Sequence, residues 1–467
     1  MDKNIPVSDK DLPSVPPLSK IIGPSFILLG LGLGSGELIL WPYLSANYGL
    51  GIIWGAIIGI TFQFFLNMEI ERYTLATGES VFVGLSRIFR RFSPIWFILT
   101  TFVPWLWPGL VASSASLFAH ALGFEYNKFL PILFLFLIGV ILSLGKYLYK
   151  TQEVFQKSLI FIGIPLIFLL TVIIAKPQDY LTLSKGLIGM GDGFWFFPAG
   201  LSFATFLGAL AYAGAGGNLN LSQSYYIKEK GFGMGMYTGK ISSLFSGQKN
   251  DVKIEGSLFK NTMQNTKLFR LWWKRINLEH SLVFWITGAV TILMLSLLAY
   301  STTYGVEGLG SGINFLFKES EFISTKTFSF IGTLFLLVAA LMLFGTQFSV
   351  YGSTSRILSE NLVLFSPKKF KTENLSKLFY LFLWFQIISG SIVFLIGFTE
   401  PLQLVITGAV LNAVTMFIYT IMIYRLNTKT LPKLISPSLV RRVIIILSIL
   451  FYGGFSLITI IKTLFKL

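Results

Sequence analysis

The sequence predicts an all-α integral membrane protein with eleven transmembrane helices. Of its 467 residues, 54% are hydrophobic and only 12% are charged, against about a quarter in soluble domains. Continuous apolar runs of roughly 20 residues recur along the chain, each long enough to cross a hydrocarbon layer about 30 Å thick. Because a backbone in lipid must satisfy its own hydrogen bonds, we expect these runs to be helices. With no cysteine and two histidines, disulfides and histidine-based metal cages are excluded.

The apolar runs are numbered here as spans 1 to 11 in chain order. Each is continuously apolar, which distinguishes it from the short alternating segments of a β-barrel. The predicted spans cover residues 21–46, 50–70, 95–119, 130–148, 155–175, 196–227, 281–300, 327–350, 377–398, 401–424 and 442–462.

The spans divide into two five-helix repeats with flanking segments. Residues 1–20, which contain four prolines, are predicted to form a flexible cytosolic tail. Residues 21–175 hold spans 1 to 5. Residues 176–424 hold spans 6 to 10 and a polar cytosolic loop at 229–280. Residues 425–467 add span 11, and because five is an odd number the second repeat is inverted in the membrane relative to the first.

The basic residues predict the orientation of the chain. With the N-terminus inside, 30 of the 37 Lys and Arg residues fall on the inner side and 7 on the outer side. Basic residues concentrate on the cytoplasmic side of membrane proteins, so we expect the N-terminus inside and the C-terminus outside in the cytoplasmic membrane. The net charge of +16 is therefore explained by the orientation of the chain in the membrane and does not indicate nucleic-acid binding. The expected contacts are the lipid bilayer and a small solute or ion, and the chain is expected to act as a monomer.

Two spans at corresponding positions are interrupted by glycine. Span 1 carries Gly34-Ser35-Gly36 followed by Glu37, and span 6 carries the glycine-rich segment 213–218 followed by further polar residues. Paired interruptions of this kind point to the substrate site of a secondary transporter, because unwound backbone exposes carbonyl and amide groups near the membrane midplane. The alternative interpretation is that the glycines only permit close helix packing.

Glu37 is the one acidic residue that the spans place at mid-membrane. An ionisable group there is costly unless it is paired or hydrated, which indicates a role in binding or in proton coupling. The alternative is a helix N-terminal cap. Two further polar residues, Gln347 in span 8 and Asn412 in span 10, are candidates for the site or for interhelical hydrogen bonds. The predicted substrate-binding residues are Gly34, Ser35, Gly36, Glu37, Ala213, Gly214, Ala215, Gly216, Gly217, Asn218, Gln347 and Asn412.

These segments resemble the Nramp family of divalent-metal transporters. Gly34-Ser35-Gly36-Glu37 stands in the place of that family's Asp-Pro-Gly-Asn, and Ala215–Leu219 in the place of its Met-Pro-His-Asn-Leu. The resemblance extends over most of residues 20–425. It implies a LeuT-like inverted-repeat fold, with broken helices in spans 1 and 6 and a cation site between them.

The chain departs from the Nramp motifs at the metal ligands. The family's Asp, Met and His positions are occupied by Gly34, Ala215 and Gly217. The resemblance leaves Glu37 and Asn218 as metal ligands, together with backbone carbonyls and water. Such oxygen ligands suit a hard or hydrated ion better than manganese or iron. No cofactor is expected.

The sequence thus predicts a secondary transporter that moves a cation, expected to be divalent and driven by protons, by alternating access between spans 1 and 6. The alternative is a symporter of a small organic solute or anion, because Gly34-Ser35-Gly36 also resembles the break of amino-acid permeases, where amides hold a carboxylate. An enzyme is not expected, since the chain shows no paired catalytic carboxylates, histidine dyad or cofactor loop.

Overall fold

The computed structural model describes residues 5–144, 148–238, 253–306 and 312–465 and is built of helices. In those ranges no β-strand forms, and only two isolated bridges join extended residues. Nine of the helices described there are long and apolar enough to cross a membrane. The prediction of an all-α, multi-pass membrane protein is confirmed.

The long apolar helices coincide with predicted spans, and the span numbers are kept for them. They are span 1 (Pro24–Tyr48), span 2 (Leu50–Thr77), span 3 (Phe92–Ala121), span 5 (Leu148–Ile174), span 7 (Met263–Thr303), span 8 (Ser329–Phe365), span 9 (Thr372–Leu395), span 10 (Pro401–Thr430) and span 11 (Leu439–Lys462).

Span 4 is the shorter apolar helix Phe129–Leu144. Span 6 consists of the helices Phe203–Ala211 and Gln223–Lys230, with a 3₁₀ turn at Gly217–Ser222 between them. Shorter helices outside the spans are Leu18–Ile21, Val81–Phe89, Pro177–Gly186 and Asn314–Lys326.

Span 1 lies at the centre of the bundle, and spans 5 and 11 lie at its periphery. In the most apolar stretch of span 1, 94% of residues are buried, against 28% in spans 5 and 11. The outer helices expose large apolar side chains, such as Phe161 at 67% and Leu450 at 65%. Because an exposed apolar surface of this extent is stable in lipid and not in water, these faces are the lipid-facing ones.

The interruption of span 1 takes the form of a π-helix, not an unwound segment. Leu33–Leu40 is π-helical, and the N–H of Trp41 donates to the carbonyl of Gly36, five residues back. A π-turn holds one more residue than an α-turn and is frequent at functional sites, because it displaces backbone groups from their usual partners.

Span 6 is interrupted by a true break in the helix. Its first half ends at Ala211, and Gly216 and Gly217 then adopt φ values of +74° and +52°. Residues with a side chain rarely adopt this left-handed region, so the two glycines permit the chain to leave the helix here.

The segment predicted as a cytosolic loop at 229–280 is largely helical in its second half. Met263–His280 continues without a break into span 7, and Trp272 on this helix is buried. The predicted flexible tail packs on it: Trp272 Nε1 donates to the Pro13 carbonyl (2.7 Å), and the Leu12 N–H donates to Asn265 Oδ1 (3.1 Å). The tail is held because its apolar residues and carbonyls find partners on the helix. Residues 1–4 and 239–252 of these two segments lie outside the described ranges.

Candidate functional site

Spans 1 and 6 cross with their glycines in backbone contact. A Cβ atom added to Gly32 would lie 2.8 Å from the carbonyl carbon of Gly214, and one added to Gly36 would overlap the carbonyl oxygen of Tyr212. Only glycine permits two helices to approach this closely. The two interruptions that the sequence predicts therefore meet in space.

A side chain from span 8 completes the interrupted hydrogen bonding of span 1. Thr346 Oγ1 accepts a bond from the Gly34 N–H (3.0 Å) and donates one to the Gly30 carbonyl (2.8 Å). In a regular α-helix these two backbone groups would bond to each other. The threonine hydroxyl is thus inserted into a helical hydrogen bond, and it satisfies both groups that the π-turn separates.

A side chain from span 2 has the same role at the break of span 6. Gln63 Nε2 donates to the Ala211 carbonyl (2.9 Å), and Gln63 Oε1 accepts from the Gly216 N–H (3.3 Å). A buried break would otherwise leave backbone groups without partners, at a cost of about 1–3 kcal/mol each.

Asn218 follows the break and is oriented by span 3. Its Nδ2 donates to the hydroxyls of Thr100 and Thr101, each at 2.9 Å. The Thr100 hydroxyl already donates to the Trp96 carbonyl (2.7 Å), so it can only accept from Asn218. The amide oxygen of Asn218 is buried and has no partner among the described residues.

Two further asparagines present their amide oxygens in the same way. Asn412 Nδ2 donates to the Tyr212 hydroxyl and Asn220 Nδ2 to the Tyr419 hydroxyl, both at 3.0 Å. Each amide oxygen is buried without a partner in the described parts of the chain. A Cβ on Gly217 would overlap Asn412 Oδ1, which places this oxygen directly at the break.

Glu37 lies inside the π-helix and is fully buried. Neither carboxylate oxygen has a hydrogen-bond partner within the described ranges. Glu37 Oε1 lies beside Gly288 of span 7, since a Cβ added to Gly288 would be 3.5 Å from this oxygen. The same Cβ would be 2.6 Å from Ile60, so apolar side chains also surround the carboxylate. The position inside a helix does not support the N-terminal cap interpretation.

The remaining candidates are all buried around the crossing. Ser35 Oγ reaches the Gly32 carbonyl at 3.4 Å, and the methyl group of Ala213 faces Gly59. Ala215 is buried, and Gln347 Nε2 is buried without a partner in the described structure.

The two predicted metal ligands face different neighbours. Glu37 is directed to span 7 and Asn218 to span 3, with no direct contact between them in the described residues. Those residues also contain no group of three or more His, Asp or Glu side chains that could hold a metal ion. Any cation at the crossing would therefore rely on amide and backbone oxygens besides Glu37.

Thr346, Gln63 and the threonine pair of span 3 are not among the residues predicted from the sequence. The available signal was a polar residue within an apolar span, which is functional or structural by default. Sequence alone singled out Gln347 and not its neighbour Thr346, because nothing local shows which side of span 8 faces span 1.

The bridging residues follow the predicted symmetry of the repeats. Span 8 supplies Thr346 to span 1, and span 3, its counterpart in the first repeat, supplies Thr100 and Thr101 to span 6. The third helix of each repeat thus supplies a threonine hydroxyl to the first helix of the other repeat, to the backbone in span 1 and to the Asn218 side chain in span 6, in keeping with the inverted-repeat architecture.

The fold is that of the LeuT-type transporters. The chain is similar to Mhp1, a nucleobase-cation-symport-1 family transporter solved with bromovinylhydantoin bound. The TM-score is 0.55 at 13% identity, over 97% of this chain and 94% of that one. It is also similar to variants of the Eremococcus coleocola manganese transporter, with a TM-score of 0.51 at 14% identity, over 97% of this chain and 98% of theirs. At such identities the likeness shows the fold alone.

No protein-family model matches the sequence. No curated protein matches it either.

Replacement of Thr346 by valine is expected to destabilise span 1. Valine has nearly the same shape but cannot bond the Gly34 N–H or the Gly30 carbonyl, and each buried group left unpaired costs about 1–3 kcal/mol. The thermal midpoint in detergent should fall, whereas Thr346→Ser, which keeps the hydroxyl, should retain most of it. Equal midpoints for the valine and serine variants would contradict the bridging role.

Proposed function

We propose that the protein is a secondary active transporter that moves a cation by alternating access at the crossing of spans 1 and 6. The LeuT-type fold supports transport, since the similar Mhp1 and manganese transporter structures are transporters. The glycine contact between the spans supports the location, because irregular backbone inside a membrane is stable only where it lines a cavity or is buried in protein.

The observation that carries the proposal is the surplus of hydrogen-bond acceptors at this crossing. Both oxygens of Glu37 and the amide oxygens of Asn218 and Asn412 are buried without a partner in the described residues. The amide nitrogens of the two asparagines are already bonded to hydroxyls, so their oxygens remain for a ligand. A set of unpaired oxygen acceptors that includes a carboxylate favours a cation and disfavours an anion.

The ligand types favour a hard divalent cation. Carboxylate, amide and water oxygens suit magnesium or calcium better than manganese or iron, and no thioether from span 6 is present at Ala215 to select these softer ions. The cation is proposed to move with protons, in keeping with the Nramp resemblance. The proposed location is the cytoplasmic membrane, with the N-terminus inside.

Uptake into proteoliposomes tests this function. We expect magnesium or calcium to accumulate in preference to manganese, and faster under an inwardly directed proton gradient than at equal pH. Empty liposomes and liposomes that contain the Glu37→Gln variant are the controls. Uptake of an amino acid or bicarbonate, with no uptake of any divalent ion, would reject a cation as substrate.

A small organic solute is the second candidate, and the aromatic side chains at the crossing favour it. Trp105 stacks on Tyr212, with ring centroids 5.8 Å apart. The indole nitrogens of Trp41 and Trp105 are buried without partners in the described ranges, so they are donors that a polar solute would satisfy. The same liposomes, loaded with amino acids or with hydantoin-like heterocycles, distinguish this candidate.

A further inference from the structure

A second buried polar cluster lies near the end of the bundle where the N-terminal segment packs. It consists of Ser25, Glu71, Gln223, Glu279 and His280, which come from spans 1, 2, 6 and 7. All five side chains are buried, at no more than 3% exposure. We refer to these five residues as the lower cluster.

Every hydrogen bond and ion pair described here for the lower cluster joins the first repeat to the second. Ser25 Oγ lies 2.5 Å from Glu279 Oε2 and 2.7 Å from His280 Nδ1, and the Gly23 N–H donates to Glu279 Oε1 at 3.2 Å. His280 Nδ1 lies 3.2 Å from Glu71 Oε1, to which Gln223 Nε2 donates at 2.7 Å. The protonation of the cluster therefore acts on the interface between the repeats.

One assignment of the hydrogen atoms satisfies all of these contacts. Ser25 has one hydroxyl hydrogen, which it donates to Glu279 Oε2. The short contact between Ser25 Oγ and His280 Nδ1 then requires a hydrogen on Nδ1, which also points toward Glu71 Oε1. This arrangement is complete with a neutral histidine and two ionised carboxylates, and it carries two negative charges.

Two atoms of the cluster remain without a partner. Glu71 Oε2 and His280 Nε2 are buried and accept no hydrogen bond from any described residue. The imidazole ring is stacked between Phe64 and Phe284, with centroid distances of 5.6 and 4.8 Å. The stacked aromatic rings exclude water from the imidazole.

The carboxylates of the lower cluster have no Lys or Arg in direct contact within the described structure. The nearest cations are already engaged: Arg441 and Arg72 bond Glu69, and Lys230 and Lys157 bond Glu153. The charged and titratable groups around the cluster, on spans 2, 5, 6 and 11, are Glu69, Arg72, Tyr149, Glu153, Glu229, Lys230 and Arg441. Arg441 and Lys230 are therefore already paired with other carboxylates and make no ion pair with Glu71 or Glu279 in the described structure.

We propose that the lower cluster binds one exchangeable proton, at Glu71 Oε2 or His280 Nε2, and that this proton holds the start of span 1 against spans 2 and 7. The inference deepens the proposed function, because it places the coupling proton at a site separate from Glu37. With the proton bound, the interface carries one negative charge and stays closed. Without it, two carboxylates face each other across the interface, and their repulsion favours separation and entry of water.

The pH dependence of stability tests proton binding without transport. Above about pH 7.5 an unfolded chain holds almost no proton on its Glu or His side chains, whereas the folded cluster holds one. The unfolding equilibrium constant of the full chain in detergent should therefore rise by up to about tenfold per pH unit until the proton is lost. Glu279→Gln removes the charge that retains the proton, so it should remove this slope.

Two further comparisons show whether one proton is shared. Glu71→Gln should remove the same pH dependence of stability. The double variant Glu71→Gln, Glu279→Gln should show no greater loss of this pH dependence than either single variant. Glu319, a carboxylate with 1% exposure on the separate helix Asn314–Lys326, supplies the matched control. The Glu279→Gln substitution should reduce the pH dependence of stability by the same amount in a Glu319→Gln background as in the wild type.

An unchanged pH dependence of stability in both Glu279→Gln and His280→Gln would contradict a bound proton in the lower cluster. A double variant of Glu71→Gln and Glu279→Gln whose pH dependence falls by the equivalent of two protons would contradict a single shared proton. Should Glu71→Gln fail to fold, the Glu279 and His280 variants decide the question. In proteoliposomes, Glu279→Gln should retain cation exchange at equal pH and lose the acceleration by a proton gradient. Absence of cation transport in the wild type would reject the proposed function and leave the stability slope as an independent result.

Discussion

Glu37→Gln is expected to abolish cation uptake and to leave the protein folded. The substitution keeps the size of the side chain and removes the buried charge that span 1 carries inside the π-helix that contacts span 6. Removal of one partner from a buried charge pair costs about 3–5 kcal/mol, and each 1.4 kcal/mol is about tenfold in affinity. The cation affinity should therefore fall on the order of 100-fold or more. The thermal midpoint without substrate should stay equal or rise, because an unpaired buried charge is removed.

Initial uptake rates in proteoliposomes and binding by calorimetry measure the effect of Glu37→Gln. Glu319→Gln is the matched control, since Glu319 is also buried at 1% exposure but lies on the helix Asn314–Lys326, outside the crossing. The control should transport at close to the wild-type rate. If Glu37→Gln transports with unchanged rate and affinity, Glu37 is not the principal ligand.

Gly36→Ala is expected to have the largest effect of any single methyl addition at the crossing. The new Cβ would overlap the carbonyl oxygen of Tyr212, a backbone atom that no side-chain rotation can displace. Overpacking typically costs about 1–3 kcal/mol and more where the backbone must shift. We expect a fall in the thermal midpoint of several degrees and loss of uptake, since spans 1 and 6 must move apart.

Gly454→Ala is the control for this substitution. Gly454 lies within the helix of span 11, and a Cβ there would meet no atom within 4 Å. Alanine is favoured over glycine in a helix by about 1 kcal/mol, so this variant should be equally or more stable and should transport normally. A Gly36→Ala protein as stable and active as Gly454→Ala would show that spans 1 and 6 are not in contact at Tyr212.

The spans and the two interruptions were predictable because they depend on local properties of the chain. Apolar runs of membrane length determine helices in any tertiary context. Glycine runs at corresponding places in spans 1 and 6 identified the crossing, which the contact between Gly32 and Gly214 bears out. Glu37 was identifiable because a carboxylate within an apolar span is rare.

The form of each interruption was not predictable from the glycines alone. Span 1 remains helical as a π-turn because Thr346 of span 8 satisfies the separated backbone groups, whereas span 6 breaks because Gly216 and Gly217 leave the helical region. Similar glycine content thus gives two backbone conformations. The difference depends on partners more than 100 residues away in the sequence.

The sequence by itself determined that the chain crosses a membrane as a helical bundle and that spans 1 and 6 carry its irregular backbone. Only the tertiary structure decided which side chains face those interruptions and which distant polar groups come together, as Ser25, Glu71 and Glu279 do around His280. The physical reason is that helix formation and lipid burial act on neighbouring residues, whereas hydrogen bonds and charges inside a bundle depend on how distant helices are rotated against one another.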